Sequence, residues 1–236
     1  MSAAFKGRHF APDTILLCMR WYCRYALSYR DLEEMMAERH LSVDHTTIYR
    51  WVQRYAPELE RRVQWCKPLQ TSTWFVDETY IKVRGEWMYL YRAIGDSGET
   101  LDFYLSQTRT TKAAKRFLRK ALTRSPHHRP SVISTDKNRS YNEAIASLRK
   151  EGRLAPTCQH RQVKFLNNRL EADHRKLKQR IRPVRAFKSR KTAHNAIRGF
   201  EVMRKFRKRQ FRSMVDSLAG GSEARYIGRL FQVFIA

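Results

Sequence analysis

A carboxylate in the middle of a strand-forming stretch is the feature that most constrains this chain. Residues 73–83 read TWFVDETYIKV and are rich in the aromatic and β-branched side chains that favour strands. Asp77 lies inside this stretch. Because a carboxylate buried in a sheet without a partner is costly or becomes protonated, one kept there usually binds a cation or a proton. Three roles for Asp77 are open: a metal ligand, an ion-paired structural residue, or an exposed strand residue.

The stretches that follow predict an α/β fold with a mixed sheet. Gly85 and the turn at 96–98 join three antiparallel strands, and helices then alternate with strands. Ser140 and Glu143 form a capping-box pair that predicts a helix start. The predicted strands are 73–83, 86–94, 99–106, 131–135 and 158–163, and the predicted helices are 112–123, 140–150, 168–180 and 189–211.

The first part of the chain predicts three helices, at 12–25, 28–39 and 45–55. In the third, an apolar face predicts burial of Ile48, Trp51, Val52 and Tyr55. A tight link followed by a helix with polar groups outward is the arrangement of a helix-turn-helix. The alternative is a small three-helix bundle with a solvated polar face. We favour DNA binding and assign the contacts to Thr46, Tyr49, Arg50, Gln53 and Arg54.

The charge of the chain indicates a polyanionic partner. Its 48 Lys and Arg residues outnumber 22 Asp and Glu, giving a net charge of +26. Nucleic acid and an anionic membrane surface are the candidates, but no apolar run approaches the ~20 residues that span a bilayer. The first residues lack the apolar core of a signal peptide, so we expect a soluble intracellular protein. The four cysteines show no zinc-site spacing.

Three carboxylates occupy similar positions relative to the predicted elements. Asp77 lies in the first strand, Asp136 closes the fourth, and Glu171 enters the helix after the fifth. Such positions gather ligands in α/β folds, so the three could converge on one cleft and bind two Mg²⁺ ions. Other acids remain possible. They are Glu78, expected on the opposite face of the sheet, Asp173, expected on another side of its helix, and Asp102 in the third strand.

Basic residues follow the third carboxylate. Arg175 and Lys178 share the helix face of Glu171, where they would meet phosphates; the alternative is an ordinary salt bridge from Arg175 to Glu171. Between residues 174 and 212 there are 16 Lys and Arg and one acid, Glu201. We interpret this stretch as a phosphate-binding surface that includes Arg204, Lys205, Arg207 and Lys208.

Several motifs resemble one family. Asp77, Asp136 and Glu171, the last two 35 residues apart, resemble the DDE triad of transposases and retroviral-type integrases, and Lys178 matches that family's basic residue seven after the glutamate. The resemblance is greatest to compact bacterial insertion-sequence transposases that form cointegrates by replicative transposition. It is carried by FKGRHF, DHTTIYRWVQRYAPE, VDETYIKVRGEWMYLYRAI, LDFYLS, STDKNRSY, HRQVKFLNNRLEADHRKLK and FKSRKTAHNAIRGFEVMRK.

This resemblance implies an RNase H-like core whose triad binds two Mg²⁺ ions, with Mn²⁺ as a substitute. It implies a DNA-end contact for Lys178 and a helix-turn-helix that reads terminal inverted repeats. The expected domains are a helix-turn-helix domain at 1–66, a catalytic domain at 67–212 and a tail at 213–236 that packs or oligomerises. The expected partners are double-stranded element ends and target DNA, bound by a homodimer or higher oligomer in the bacterial cytoplasm.

One residue departs from the family pattern, and two other functions are alternatives to the one that the resemblance implies. Gly95 stands where the family pattern leads us to expect an aspartate, which puts the local turn in doubt. A structure-selective nuclease on the same core would not need a sequence-reading helix-turn-helix. A ligand-binding transcription regulator would not need three converging carboxylates.

Overall fold

The computed structural model describes residues 3–64, 71–125, 129–163, 168–184, 187–218 and 220–234. The chain divides into two compact units, and the division falls within one helix. The sheet unit is Pro68–Lys176, and the helical unit combines Met1–Lys67 with Leu177–Ala236. The described helices are α1 (Pro12–Arg24), α2 (Tyr29–Ala37), α3 (His45–Val63), α4 (Thr111–Arg124), α5 (Arg139–Lys150), α6 (Asn168–Ile181), α7 (Arg190–Arg207), α8 (Arg212–Asp216) and α9 (Glu223–Leu230).

The sheet unit contains the mixed five-stranded sheet that the sequence predicts. Its strands are β1 (Thr73–Val83), β2 (Glu86–Ile94), β3 (Thr100–Ser106), β4 (Val132–Thr135) and β5 (Gln159–Gln162). The spatial order is β3-β2-β1-β4-β5, with β1 to β3 antiparallel and with β4 and β5 parallel to β1. This is the strand order of an RNase H-like fold, and the predicted mixed sheet with flanking helices is confirmed.

One face of β1 belongs to the core of the sheet unit. Trp74 and Val76 are fully buried with Phe117 of α4 and with Ile145 and Leu148 of α5. Since side chains alternate along a strand, Asp77 is directed to the other face. The helix α5 begins one residue before the predicted Ser140, because the Asn138 side chain caps it by accepting a hydrogen bond from the Ser140 N–H at 3.0 Å.

Two backbone hydrogen bonds close the turn that begins at Gly95. The Gly95 N–H donates to the Glu99 carbonyl at 2.9 Å, and the Gly98 N–H donates to the Gly95 carbonyl at 3.0 Å. A Cβ atom at Gly95 would lie 2.0 Å from Oε1 of the buried Glu99. Gly95 therefore leaves the space that the Glu99 side chain occupies in this protein.

In the helical unit, α3 buries Ile48, Trp51, Val52 and Tyr55, as its spacing predicts. The prediction that α3 ends near Tyr55 is wrong, because the helix passes through Pro57 to Val63. Proline has no N–H to donate to the carbonyl four residues earlier. The Asn195 side chain of α7 donates to that carbonyl, of Gln53, at 3.4 Å, so α7 supplies the missing partner.

The helix α7 packs closely on the N-terminal helices. A Cβ atom at its Gly199 would lie 2.4 Å from the Cys23 Sγ of α1 and 2.8 Å from the Ala56 Cβ of α3. This helix ends at Arg207, short of the predicted residue 211. From the tail, Phe231 is fully buried, with its ring centroid 5.8 Å from that of Phe5.

The compact units and the predicted domains divide the chain differently. Residues from Leu177 onward belong with the N-terminal helices, whereas the sequence predicts a catalytic domain at 67–212. The expected boundary at 66/67 and the end of the tail at 235–236 lie outside the described residues. The functional roles of the three predicted segments stay predictions. Within the described part of the chain, no helix is both long and apolar enough to cross a bilayer.

Candidate active site

Two of the three predicted carboxylates meet at adjacent parallel strands. The pairing of β1 with β4 sets Phe75 opposite Ser134. Continuing this register by two residues places Asp77 of β1 beside Asp136, which follows β4. Carboxylate oxygens of Asp77, Glu78 and Asp136 all lie within 4.8 Å of one another. We call these three residues the acidic cluster.

The acidic cluster disfavours ionisation of Asp77. Burial is the main cause that raises the pKa of Asp77 to about 7, and the neighbouring Glu78 and Asp136 carboxylates act in the same direction, against an opposing effect of Arg109. A cation bound among these oxygens would offset the repulsion. Asp77 is therefore not an exposed strand residue, and within the described residues its carboxylate forms no ion pair, while its role as a metal ligand stays a prediction.

The position of Glu78 differs from the expectation that it stands apart from Asp77. Its buried carboxylate accepts hydrogen bonds from the Tyr141 hydroxyl and from Arg109 Nε. Arg109 Nη2 also donates to Asp136 Oδ2 at 3.3 Å. Burial and the Glu78 carboxylate raise the pKa of Tyr141 well above its ordinary value, so its hydroxyl stays protonated and donates. Sequence reasoning missed Arg109 and Tyr141 altogether.

The third predicted carboxylate, Glu171, is exposed on α6 and lies outside the acidic cluster. An ion pair nevertheless holds the start of α6 on the Asp77 face of the sheet. Arg92 is opposite Asp77 in the β1–β2 pairing, and directly paired residues share a face. Its guanidinium lies 2.6 Å from the carboxylate of Asp173, two residues after Glu171. Asp173 is thus a buried ion-pair partner that helps to hold α6.

Asp102, the other candidate acid, has a structural role. It is buried in β3, and its Oδ1 accepts from Lys120 Nζ at 2.8 Å and from Arg124 at 3.0 Å. Both basic residues lie on α4. A buried carboxylate paired in this way joins the helix to the sheet, whereas burial and two neighbouring carboxylates dominate the surroundings of Asp77.

On α3, the predicted DNA contacts do not all project outward. Arg50 and Arg54 are exposed. Thr46 is exposed as well, and its hydroxyl and N–H both donate to the N-cap Asp44. Gln53 faces α7 instead, donating to the Thr192 carbonyl at 3.3 Å. Its side chain is half-buried beside α7 and does not project freely, and its predicted DNA contact stays a prediction.

Tyr49 is half-buried, with its ring 5.5 Å from that of Tyr29. Whether α2 and α3 act as a helix-turn-helix stays a prediction.

The basic stretch is only partly a free surface. Arg175 and Lys178 are exposed on α6, while the Arg204 side chain is 12% exposed and lies 3.9 Å from Glu201. Arg207 is exposed yet donates to the Arg24 carbonyl. Lys205 and Lys208 are half-buried. Another acid that pairs with this stretch comes from a distant part of the chain, as Glu60 does with Arg198, so the local sequence overstated its uncompensated charge.

We expect Asp77→Asn to stabilise the protein in the absence of divalent ions. The folded-state pKa of about 7 lies above the ordinary value of 3.8, so ionisation of Asp77 reduces stability as the pH rises through that interval. At pH 8 the amide removes this penalty, raising the melting temperature by about 2–4 °C for each kcal/mol regained.

The matched control is Asp102→Asn, which leaves Lys120 and Arg124 without their charged partner and should lower the melting temperature. Thermal unfolding in a chelator measures both variants. A lower melting temperature for Asp77→Asn would show that Asp77 has a stabilising partner.

Comparisons with known proteins assign the chain to a family. The family model for the DDE domain of IS240-type transposases matches residues 71–210. The chain is 39% identical over 212 residues to the transposase for insertion sequence-like element IS431mec of Staphylococcus aureus, covering 89% of this chain and 91% of that protein. It has the same identity and coverage with the Staphylococcus aureus transposase for insertion sequence element IS257 in transposon Tn4003.

Among solved structures, the integrase catalytic core domain of HTLV-2 aligns with a TM-score of 0.42 at 13% identity, covering 57% of this chain and 86% of that one. The assignment rests on the family match and on the two relatives. This protein belongs to the DDE transposases of insertion sequences.

Proposed function

We propose that this transposase binds the terminal inverted repeats of its insertion sequence and catalyses metal-dependent strand cleavage and strand transfer into target DNA. The observation that carries the proposal is the placement of Asp77 beside Asp136 on adjacent parallel strands within the matched DDE domain. The exposed Glu171 on α6, near the Arg92–Asp173 ion pair, completes the proposed triad.

The donor set fits Mg²⁺. Carboxylate oxygens of Asp77 and Asp136 within 4.8 Å are hard ligands of the kind that Mg²⁺ and Mn²⁺ take. We propose two ions per site, held by Asp77, Asp136 and Glu171. When bound, such ions supply Lewis-acid stabilisation of the reacting phosphate and lower the pKa of bound water.

The chain's own residues position the reacting groups. Asp77 and Asp136 are held side by side by the β1–β4 pairing, and Glu171 stands on a helix that the Arg92–Asp173 ion pair holds to the sheet. In the proposed sequence, water cleaves one strand at each element end, and the freed 3′-hydroxyl attacks a target phosphodiester in line. No side chain becomes covalently linked to DNA.

DNA binding is proposed for two groups of residues. Thr46, Arg50 and Arg54 are exposed on α3, with Tyr49 half-buried beside them, and we propose that they read the terminal repeats in the major groove. Arg175 and Lys178 are exposed on the same α6 face as Glu171, and we propose that they contact phosphates at the DNA ends. A homodimer or higher oligomer, acting on DNA in the bacterial cytoplasm, would hold two element ends together.

The two rival functions receive less support. The family match and the relatives support a transposase over a structure-selective nuclease on the same core. A ligand-binding regulator does not account for the side-by-side carboxylates of Asp77 and Asp136.

A strand-transfer assay tests the proposed function. Purified protein is incubated with Mg²⁺, linear DNA bearing the sequences that flank the reading frame, and a supercoiled plasmid target. We expect joined products only with DNA that carries the terminal repeats. Cleavage of branched DNA without joining would favour the nuclease, and binding without any cleavage would favour the regulator.

A further prediction concerns the exposed basic residues of α6. Replacing Arg175, Lys176 and Lys178 together by glutamine should flatten the dependence of log K on log salt, on any DNA sequence. The slope should change by about 0.9 for each DNA phosphate that these residues no longer neutralise. All three side chains are exposed, so the fold should be retained.

Arg61→Gln is the control, because this exposed arginine already pairs with Glu58 at 2.6 Å and should leave the slope unchanged. An unchanged slope in the triple variant would show that this face is merely solvated.

A further inference from the structure

Arg109 binds two members of the acidic cluster at once. It lies in the loop between β3 and α4, where its Nε donates to Glu78 Oε1 and its Nη2 to Asp136 Oδ2 at 3.3 Å. Its side chain is 38% exposed, so solvent reaches the guanidinium. The three carboxylates repel one another, and a guanidinium placed among them offsets part of that repulsion.

Of the two carboxylates that Arg109 binds, Glu78 is the one that the protein holds in place. Its side chain is 2% exposed, and Tyr141 donates a hydrogen bond to its second oxygen, Oε2. The Tyr141 ring is fully buried against Tyr91, with ring centroids 6.4 Å apart. Both oxygens of Glu78 therefore have protein partners, which makes Glu78 an anchor for Arg109 and not a free metal ligand.

Asp136 is the carboxylate whose contact with Arg109 is the weaker of the two. Its Oδ1 accepts from the Asn138 N–H at 3.0 Å, as part of the turn that starts α5. Its Oδ2 is bound by Arg109 at 3.3 Å, longer than the usual separation in such a bond. The carboxylate is 33% exposed. A cation that binds Asp136 from solvent would take Oδ2, the oxygen that Arg109 holds.

We propose that Arg109 is a positioning residue that stands in for the divalent ion. Anchored by Glu78 and Tyr141, it compensates the acidic cluster and orients Asp136 until a metal ion takes Asp136 Oδ2. Arg109 then remains bound to Glu78 beside the ion. This inference rests on the proposed assignment of Asp77 and Asp136 as metal ligands.

The test is thermal unfolding of the full chain without DNA, first in a chelator and then over a titration of Mg²⁺, repeated with Mn²⁺. Arg109→Gln should lower the melting temperature in the chelator, because the carboxylates lose their compensating charge. The same variant should reach half of its metal-induced stabilisation at an ion concentration about three- to tenfold lower than wild type, because the competing cation is gone.

Two further variants make the result specific. Arg61→Gln removes an exposed arginine of α3 that pairs with Glu58 at 2.6 Å and touches no member of the acidic cluster in the described residues, and it should change neither quantity. Arg109→Lys keeps the charge but lacks the fork that reaches both carboxylates. It should show a smaller shift in the same direction, and it serves as the test if Arg109→Gln does not fold.

A half-saturating concentration at or above the wild-type value would overturn the proposal, because Arg109 would then assist metal binding or act only on the fold. If wild type gains no stability from either ion, or if Asp77→Asn gains as much as wild type, the metal-ligand assignment fails instead. The two failures are therefore distinguishable.

Discussion

Alanine at Asp77, Asp136 or Glu171 is expected to reduce strand transfer by about a thousandfold or more with Mg²⁺ or Mn²⁺. Each change removes a proposed oxygen ligand, and metal stabilisation of a phosphoryl transition state is worth several kcal/mol, at roughly tenfold in rate for each 1.4 kcal/mol. Binding to the element ends should stay nearly intact, because none of the three lies among the proposed DNA contacts. Strand-transfer and gel-shift assays on the same preparations measure the two properties separately.

The control for this prediction is Asp102→Ala. Asp102 is buried with Lys120 and Arg124, so its loss should lower the melting temperature while protein that remains folded still joins DNA. Near-normal strand transfer by any of the three alanine variants would remove that residue from the triad. Glu171 is the most informative of the three, because it lies outside the acidic cluster.

Arg50→Ala is expected to weaken binding to the terminal repeats by about ten- to a hundredfold and to leave binding to unrelated DNA almost unchanged. A guanidinium can bond O6 and N7 of guanine together, which is worth about 1–3 kcal/mol of discrimination. Arg50 is exposed on α3 while Ile48 and Trp51 are buried, so the structure leaves its side chain available. Metal-dependent nicking of unrelated DNA should survive.

Gel shifts with repeat and scrambled DNA test this prediction directly. Arg61→Ala is the matched control, since it removes one exposed arginine from the same helix that already pairs with Glu58. Equal losses on both DNAs would identify Arg50 as a phosphate contact. No loss on either would place repeat recognition elsewhere in the chain.

The candidate site could be predicted only in part from the sequence. Asp77 and Asp136 were identifiable because a carboxylate inside or just after an apolar strand is unusual, and the structure brings them together. Glu78 was assigned to the opposite face because side chains alternate along a strand. That rule gives only the direction of the Cα–Cβ bond. Hydrogen bonds from Tyr141 and Arg109 determine the position of the Glu78 carboxylate. Neither residue stands in a recognisable sequence pattern, because each has its role through a contact with Glu78, which is distant along the chain.

The sequence by itself determined the local elements of this protein. The bounds of β1 and β2 agree with their predicted ranges, because strand propensity and turn residues act over a few neighbours. The buried face of α3 was predictable for the same reason, since helical spacing alone assigns Ile48, Trp51 and Val52 to one side.

Tertiary structure decided where polar groups find partners. The helix α3 continues through Pro57 because Asn195 binds the carbonyl that proline leaves without a donor. Gln53 contacts Thr192 and not solvent, and Arg198 of the basic stretch pairs with Glu60. In each case the partner is more than a hundred residues away in the chain. Hydrogen bonds and ion pairs act over a few ångströms and do not depend on the separation of the two residues along the chain. Only the folded structure therefore shows which charges lack a partner.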